Sequence, residues 1–484
     1  MTRTQGIPNQ PVAFDDMQGL IRFGHGALVE AAFILCRIRD PKAAGAWLET
    51  APVTSAETLP APPDMALQVA FTAAGLRAMG LGADVLAYFA QPFLFGMTGE
   101  DSRSRRLGDT GTNAPENWDW DEAEAHVLIL LYARKGGLAA WQDKILTPTF
   151  HAAFTPMHTF PTRPNDGFEP FGFRDGISEP KIDWQDARPP AKHGREDFSN
   201  LISPGEVVLG YRNEYDERAD LSEADLRRNG SYLVMRQLAQ DVPGLWTYLD
   251  KEADGDSARR EELAAQMVGR RRDGTPLIQG RRDVAGSPRK NDFTYDDDVD
   301  GLRCPLGAHI RRANPRTGDQ PHRGQGRLGW LLSTLGFRRR RDELPGRHDL
   351  VASTRFHRLV RRGRAYGSAL TPEAALRPDA AKDARGLFFI CLCADLVRQF
   401  EFVQNAWIAA PTFNGLTGEA DPLLGNRQPF CGVASDGFTI QTPTGTGDRF
   451  APLPQFVTVK GGGYFFLPGL SALRIIARHA RQEV

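Results

Sequence analysis

The residues best suited to chemistry stand in two short stretches. In Arg303-Cys304-Pro305-Leu306-Gly307-Ala308-His309-Ile310-Arg311-Arg312-Ala313-Asn314-Pro315-Arg316, one histidine sits among small residues and is followed by cations. Its imidazole can ligate iron, Gly307 and Ala308 let a flat macrocycle approach the backbone, and the arginines can pair with carboxylates such as propionates. Those are the needs of a haem, although a histidine in a basic loop is more often solvated or simply hydrogen-bonded. The second stretch, Phe171-Gly172-Phe173-Arg174-Asp175-Gly176-Ile177-Ser178-Glu179-Pro180, puts glycines on both sides of Asp175 and so leaves room for a ligand to reach its carboxylate. On the dipeptide alone, Asp175-Gly176 reads as a turn.

These stretches need a scaffold, and the chain supplies repeated strand–helix pairs. Ala27 to Arg37 suits a buried strand, followed by an Ala/Trp-rich helix from Pro41 to Glu49 whose first turn tolerates proline. The pattern recurs at Met65 to Phe71 with Thr72 to Met79, and at His126 to Tyr132 with Leu138 to Ile145; a strand near Thr155 to Pro161 completes an antiparallel sheet. The second half repeats it: Ser231 to Arg236 with Val242 to Lys251, a strand at Phe356 to Arg361, Leu387 to Cys393 with a helix from Asp395 to Ile408, then Gly463 to Leu467 with a terminal helix from Ser471. The strand from Ala125 leading to Trp141 and that from Gly386 leading to Trp407 suggest an internal duplication. Leu396, Phe400, Val403 and Trp407 form one helical stripe, read as core and not as cofactor contact.

Composition narrows the function. A chain of 484 residues exceeds one ordinary hydrophobic core, so two similar-sized units, or one large compound domain, are expected, with the halves divided as 1–205 and 206–484. Its 59 basic and 60 acidic residues nearly cancel, leaving no global field for nucleic acid or an anionic membrane. A basic insertion at about 316–348, including Arg338 to Arg341, lacks the interleaved aromatics of a nucleic-acid surface and reads as a solvated loop. Five cysteines are too few and odd in number for a secreted disulfide framework, and the N-terminus lacks the apolar run of a signal peptide. A soluble, cytoplasmic protein is expected, with homo-oligomerisation open. Cys-x-x-Cys-His does not occur, so a haem would be held non-covalently.

The ordered pair Gly-x-x-Asp-Gly and Cys-Pro-x-Gly-Ala-His-x-Arg-Arg resembles the dye-decolourising peroxidases, a family of haem b peroxidases. Arg361 to Gly367, Gly386 to Ile390 and Gly462 to Pro468 are similar to family segments in family order, so the resemblance covers most of the chain. It implies an α+β fold of two ferredoxin-like halves, of the dimeric α+β barrel-like superfamily, with one haem b per chain mainly in the C-terminal half. It further implies reduction of hydrogen peroxide with oxidation of organic donors such as phenols and dyes, bulky donors reacting at a surface Trp or Tyr. His309 would be the proximal iron ligand, and Asp395 its carboxylate partner, although Asp395 at a strand–helix junction equally suits an N-cap. Asp175 would shuttle the peroxide proton. A carboxylate, with a reference pKa of about 3.9, stays competent in acid, so an acidic optimum is expected.

Arg361 would stabilise the departing oxygen, with the neighbouring Arg362 aimed to the opposite side by strand alternation. One subgroup of the family carries Asn two positions after this arginine, where this chain has Gly363. Leu387 and Phe389, two apart on a strand, would form an apolar pair above the haem, and Arg311 or Arg316 would meet its propionates. A haem storage, delivery or iron-release protein shares His309 but needs neither Asp175 nor Arg361. A cofactor-free scaffold binding a partner through the basic insertion needs none of them. The C-terminus from Arg478 to Val484 resembles no extended targeting tail, which argues against packaging in a shell.

Overall fold

The computed structural model describes residues 11–185, 200–278, 290–316 and 353–481, apart from positions 216, 219, 220, 223, 224, 292, 296, 381, 382, 430, 431 and 446. Most of the basic insertion therefore lies outside the described residues. The first half runs β1 (Glu30–Ile38), α1 (Pro41–Thr50), β2 (Met65–Phe71), α2 (Ala73–Ala78), β3 (Val127–Ala133), α3 (Leu138–Ile145), α4 (Pro148–Ala153) and β4 (Phe154–Pro161). The second runs β5 (Ser231–Gln240), α5 (Val242–Glu252), α6 (Ser257–Val268), α7 (His309–Ala313), β6 (Val360–Arg361), β7 (Arg364–Tyr366), β8 (Gly386–Cys393), β9 (Val457–Leu467) and α8 (Leu470–Arg481).

One ten-stranded sheet holds both halves, in the order β7-β8-β5-β9-β2-β3-β1-β4, with β6 also paired to β8 and the two-residue strand Trp120–Asp121 paired to β9. Counting β6 and β7 together as the second strand of their half, within each half the first strand lies between the third and the fourth, and the second lies outside the third. That common order is the ferredoxin-like arrangement and accounts for the duplicated sequence pattern. The halves join where Phe466 of β9 pairs with Phe71 of β2.

Period-two alternation divides the buried side chains. Phe33, Leu35, Leu130, Leu233, Met235, Phe388 and Ile390 share one core drawn from both halves. Ile34, Cys36, Leu67, Val69, Val127 and Ile129 point the other way and pack against Trp47 of α1, Leu76 of α2 and Ile476 of α8. Helix starts follow local chemistry: the Asp40 carboxylate accepts from the N–H groups of Lys42 and Ala43, and the Asp241 side chain accepts from Gly244 N–H, each just ahead of a proline-tolerant first turn.

Two expectations change, and one helix is new. The extended segment predicted from Phe356 shortens to Val360–Arg361, because Ser353–His357 coils into a tight 3-10 turn. The helix predicted after Asp395 is wound in π-type turns over Val397–Glu401 and Val403–Ala409. α6, capped by Asp256, was hidden by its charged residues; Leu263, Ala264 and Met267 bury its apolar side.

Phe388 joins the halves. It is 3% exposed and meets Phe33 at 6.1 Å, Phe160 at 5.1 Å and Tyr366 at 4.5 Å between ring centroids. Phe388→Ala should cost about 3–5 kcal/mol, measured by denaturant unfolding. A loss under about 1 kcal/mol would mean that this contact does not hold the halves together.

Candidate active site

The other face of the second-half sheet borders a cavity of about 290 Å³, close to the roughly 300 Å³ lower end for small-molecule sites. Leu238 of β5, Leu387 and Phe389 of β8, and Val457 and Val459 of β9 form an apolar wall. Leu387 and Phe389 thus share the pocket face, as their spacing predicts, while Phe388 between them turns into the core. Phe400, Val403 and Trp407 also line the cavity, so the stripe read as core alone serves both, with Leu396 remaining in the core.

His309 opens α7 and lines the same cavity, with 24% of its side chain exposed. Its Nδ1 lies 2.9 Å from Asp421 Oδ2. Because the carboxylate can only accept, Nδ1–H donates to it, and Nε2 is left for a ligand. Asp421 is completely buried, and its Oδ1 accepts from Leu423 N–H at 2.9 Å and Leu424 N–H at 2.8 Å. Burial works against a charged His309, but Asp421 outweighs it and holds the imidazole above its usual pKa. Burial likewise opposes the Asp421 charge; His309, Arg312 and the Leu424 N–H overcome it and keep the carboxyl below its usual range.

Asp421 therefore takes the place expected for Asp395. The Asp395 carboxylate, 45% exposed, instead accepts from Arg398 N–H at 2.9 Å, which is the N-cap alternative. Sequence reasoning had no local signal for Asp421, which is 112 residues from His309. Arg311 also moves out of the proposed role. It is 2% exposed and donates to Asp298 Oδ2 at 3.0 Å and Cys304 O at 2.7 Å, bracing its own loop away from the cavity. Arg316 does line the cavity, its Nη1 donating to Asn291 O and Phe293 O at 3.0 Å each. Arg270 and Arg358 line it too and were not predicted. Gly307 and Ala308 do not face the cavity: Gly307 borders Leu416 and Phe438, and Ala308 packs with Phe293 and Tyr295.

The loop around Asp175 closes on itself, with Asp175 N–H donating to Gly167 O at 2.9 Å. Gly172 and Gly176 have φ of +94° and +76°, so left-handed backbone is a reason for glycine here in addition to room for a ligand. Asp175 Oδ1 accepts from Gly176 N–H at 2.7 Å and from Arg361 Nη1 at 3.3 Å. Glu179 Oε1 meets Arg361 Nε at 2.7 Å, and its Oε2 accepts from Arg361 N–H at 2.8 Å. Arg362 turns away, as alternation requires, donating to Leu20 O and Ile21 O. A β-carbon on Gly363 would lie 2.7 Å from Phe388 O, so this backbone excludes the Asn found there in part of the family.

The residues fit a haem: an imidazole with one nitrogen open, a flat apolar wall, and arginines beside it. With an acid–arginine pair in the same cavity, the site is of the class that haem peroxidases use.

The comparisons agree with that class. The chain is 28% identical over 438 residues to dye-decolorizing peroxidase msp1 of Mycetinis scorodonius, covering 86% of this chain and 77% of that protein. It is 33% identical over 328 residues to the multifunctional dye peroxidase DyP2 of an Amycolatopsis species, covering 64% and 61%. The crystal structure of a fungal DyP-type peroxidase from Auricularia auricula-judae matches with a TM-score of 0.74 at 26% identity, over 97% of this chain and 100% of that one. A dye-decolorizing peroxidase in complex with 2,6-dimethoxyphenol matches at 0.73 and 25%, over 96% and 100%. No family model matches the chain. The chain is thus similar to the dye-decolourising peroxidases in sequence over most of its length and in fold over nearly all of it.

Asp421→Asn should weaken haem retention about 10–100-fold, measured by transfer of haem to apomyoglobin. Retention equal to the parent's would remove Asp421 as the support of His309.

Proposed function

We propose that the chain holds one non-covalent haem b at His309 and uses Asp175 and Arg361 to cleave peroxide beside it. The activity is that of a peroxidase acting on phenols and dyes. The observation that carries the residue roles is the 3.3 Å contact between Arg361 Nη1 and Asp175 Oδ1 in the cavity that His309 lines.

Bound there, haem supplies the redox chemistry, reducing peroxide by two electrons and oxidising donors one electron at a time. His309 Nε2 would ligate the iron while Asp421 fixes the ring. Asp175 takes a proton from one peroxide oxygen and returns it to the other, which leaves as water. The Arg361 guanidinium faces the negative charge that builds on the departing oxygen and lowers its energy without giving up a proton. Leu387 and Phe389 present hydrocarbon to the reacting space and limit its water. Among the arginines that line the cavity, Arg316, Arg270 and Arg358 are candidates to meet the propionates. A protein that only stores or delivers haem needs His309 but no acid–arginine pair, and that pair favours the enzyme.

A cytoplasmic location draws support from Cys36, Cys304, Cys391 and Cys393, which are buried and unpaired. Among the described residues no helix is long and apolar enough to cross a membrane.

Stopped-flow absorbance with hydrogen peroxide tests the residue roles. Asp175→Asn should slow the reaction about 10²–10⁴-fold with haem content unchanged, and Arg361→Leu about 10²–10³-fold. Parental rates in Asp175→Asn would remove it from the mechanism, and a His309→Ala protein that keeps the parental Soret band would move the haem elsewhere.

A further inference from the structure

The side chain that limits Arg361 is Glu179, four residues after Asp175 on the same loop. β6 pairs with β8 so that Arg361 lies opposite Cys391, and the N–H of the next residue, Arg362, donates to Ile390 O at 2.7 Å. The Arg361 N–H, by alternation, looks away from β8 toward the open edge of the strand. Glu179 fills that edge. One carboxylate oxygen accepts the Arg361 main-chain N–H at 2.8 Å, and the other meets Nε of the same residue at 2.7 Å. The two contacts close a ring through the arginine's own backbone and side chain, which removes most of its rotational freedom. What remains directed to Asp175 is Nη1.

Glu179 is itself held. It is 22% exposed, its carbonyl accepts from Asn200 Nδ2 at 2.9 Å, and Arg270 Nη2 donates to the adjacent Ser178 Oγ at 2.9 Å. One loop therefore carries both the acid, Asp175, and the clamp on the arginine.

We propose that Glu179 is the positioning residue of the distal pair, fixing Arg361 so that its Nη edge faces the small anionic or incipiently anionic ligand in the cavity. This rests on the reading of Arg361 given above. Glu179 touches neither peroxide nor haem in this role; it acts through the guanidinium. Its contribution must therefore vanish when the guanidinium is absent.

The test is a double-mutant cycle on the haem-loaded protein, with two readouts: the dissociation constant of fluoride in the resting enzyme, from the Soret shift, and the rate of reaction with peroxide. Glu179→Ala should weaken fluoride binding and slow the peroxide step, each about tenfold, at unchanged haem content. Added to Arg361→Leu, the same substitution should change neither readout further. Glu179→Gln, which keeps the shape and one accepting oxygen, should lose less, and it serves as the test if the Ala variant fails to fold. Fluoride binding that tightens in Glu179→Ala would mean that the carboxylate only cancels charge and would overturn the proposal. So would losses that add fully to those of Arg361→Leu, or no loss at all. If Arg361→Leu leaves both readouts at parental values, the assigned role of Arg361 fails, and the proposal with it; the other negative outcomes leave that role standing.

Discussion

The two-residue period of extended backbone in Gly386–Cys393 is the constraint on which the rest depends. Successive side chains of this strand serve two different volumes, since Phe388 and Ile390 lie in the core shared by the halves while Leu387 and Phe389 wall the cavity. Neither surface can shift in register without the other, because a slip of one residue exchanges their occupants. The same strand carries Arg361 through its pairing at Cys391. The hydrophobic joint between the halves and the main-chain position of Arg361 are thus set by one ladder of hydrogen bonds, while the direction of its guanidinium depends on Glu179.

Around that ladder, irregular segments are fixed by charged side chains that reach main-chain groups. Arg312 is fully buried and donates to Trp407 O, Glu419 O and Ala410 O, tying the helix that begins at His309 to the π-wound segment. Widened turns leave carbonyls without their usual partners, and a guanidinium with a fork of donors satisfies several at once. Glu169 does the converse, accepting from Phe171 N–H and Phe173 N–H at the base of the Asp175 loop. Such contacts hold the site's walls without a regular element passing through every part of them.

This division explains what could be read in advance. Strands and helices announce themselves through periodic burial, and Met65–Phe71 and Leu138–Ile145 fell where the pattern put them. His309 and Arg361 stood out because local motifs carry them, and Leu387 with Phe389 because alternation alone pairs them. Asp421 did not, since nothing near it in the chain distinguishes a histidine's partner from any acidic turn residue. Arg311 departs from its expected place for a related reason: a cation next to the histidine in sequence need not be next to it in space, and a five-residue helix turns this side chain onto Asp298. The stripe ending at Trp407 reads as core alone because the sequence of a helix does not say whether its apolar face meets protein or a bound group.

Gly363 bears on how the cavity can diversify. With Phe388 O only 2.7 Å from where a β-carbon would stand, any side chain at this position requires the main chain of two paired strands to separate. Drift or redesign is thereby closed to one route, the addition of a third polar group from the arginine's own strand. Leu387 and Phe389, by contrast, project from their strand into the cavity, where their side chains can change size or polarity without disturbing the hydrogen-bond ladder behind them.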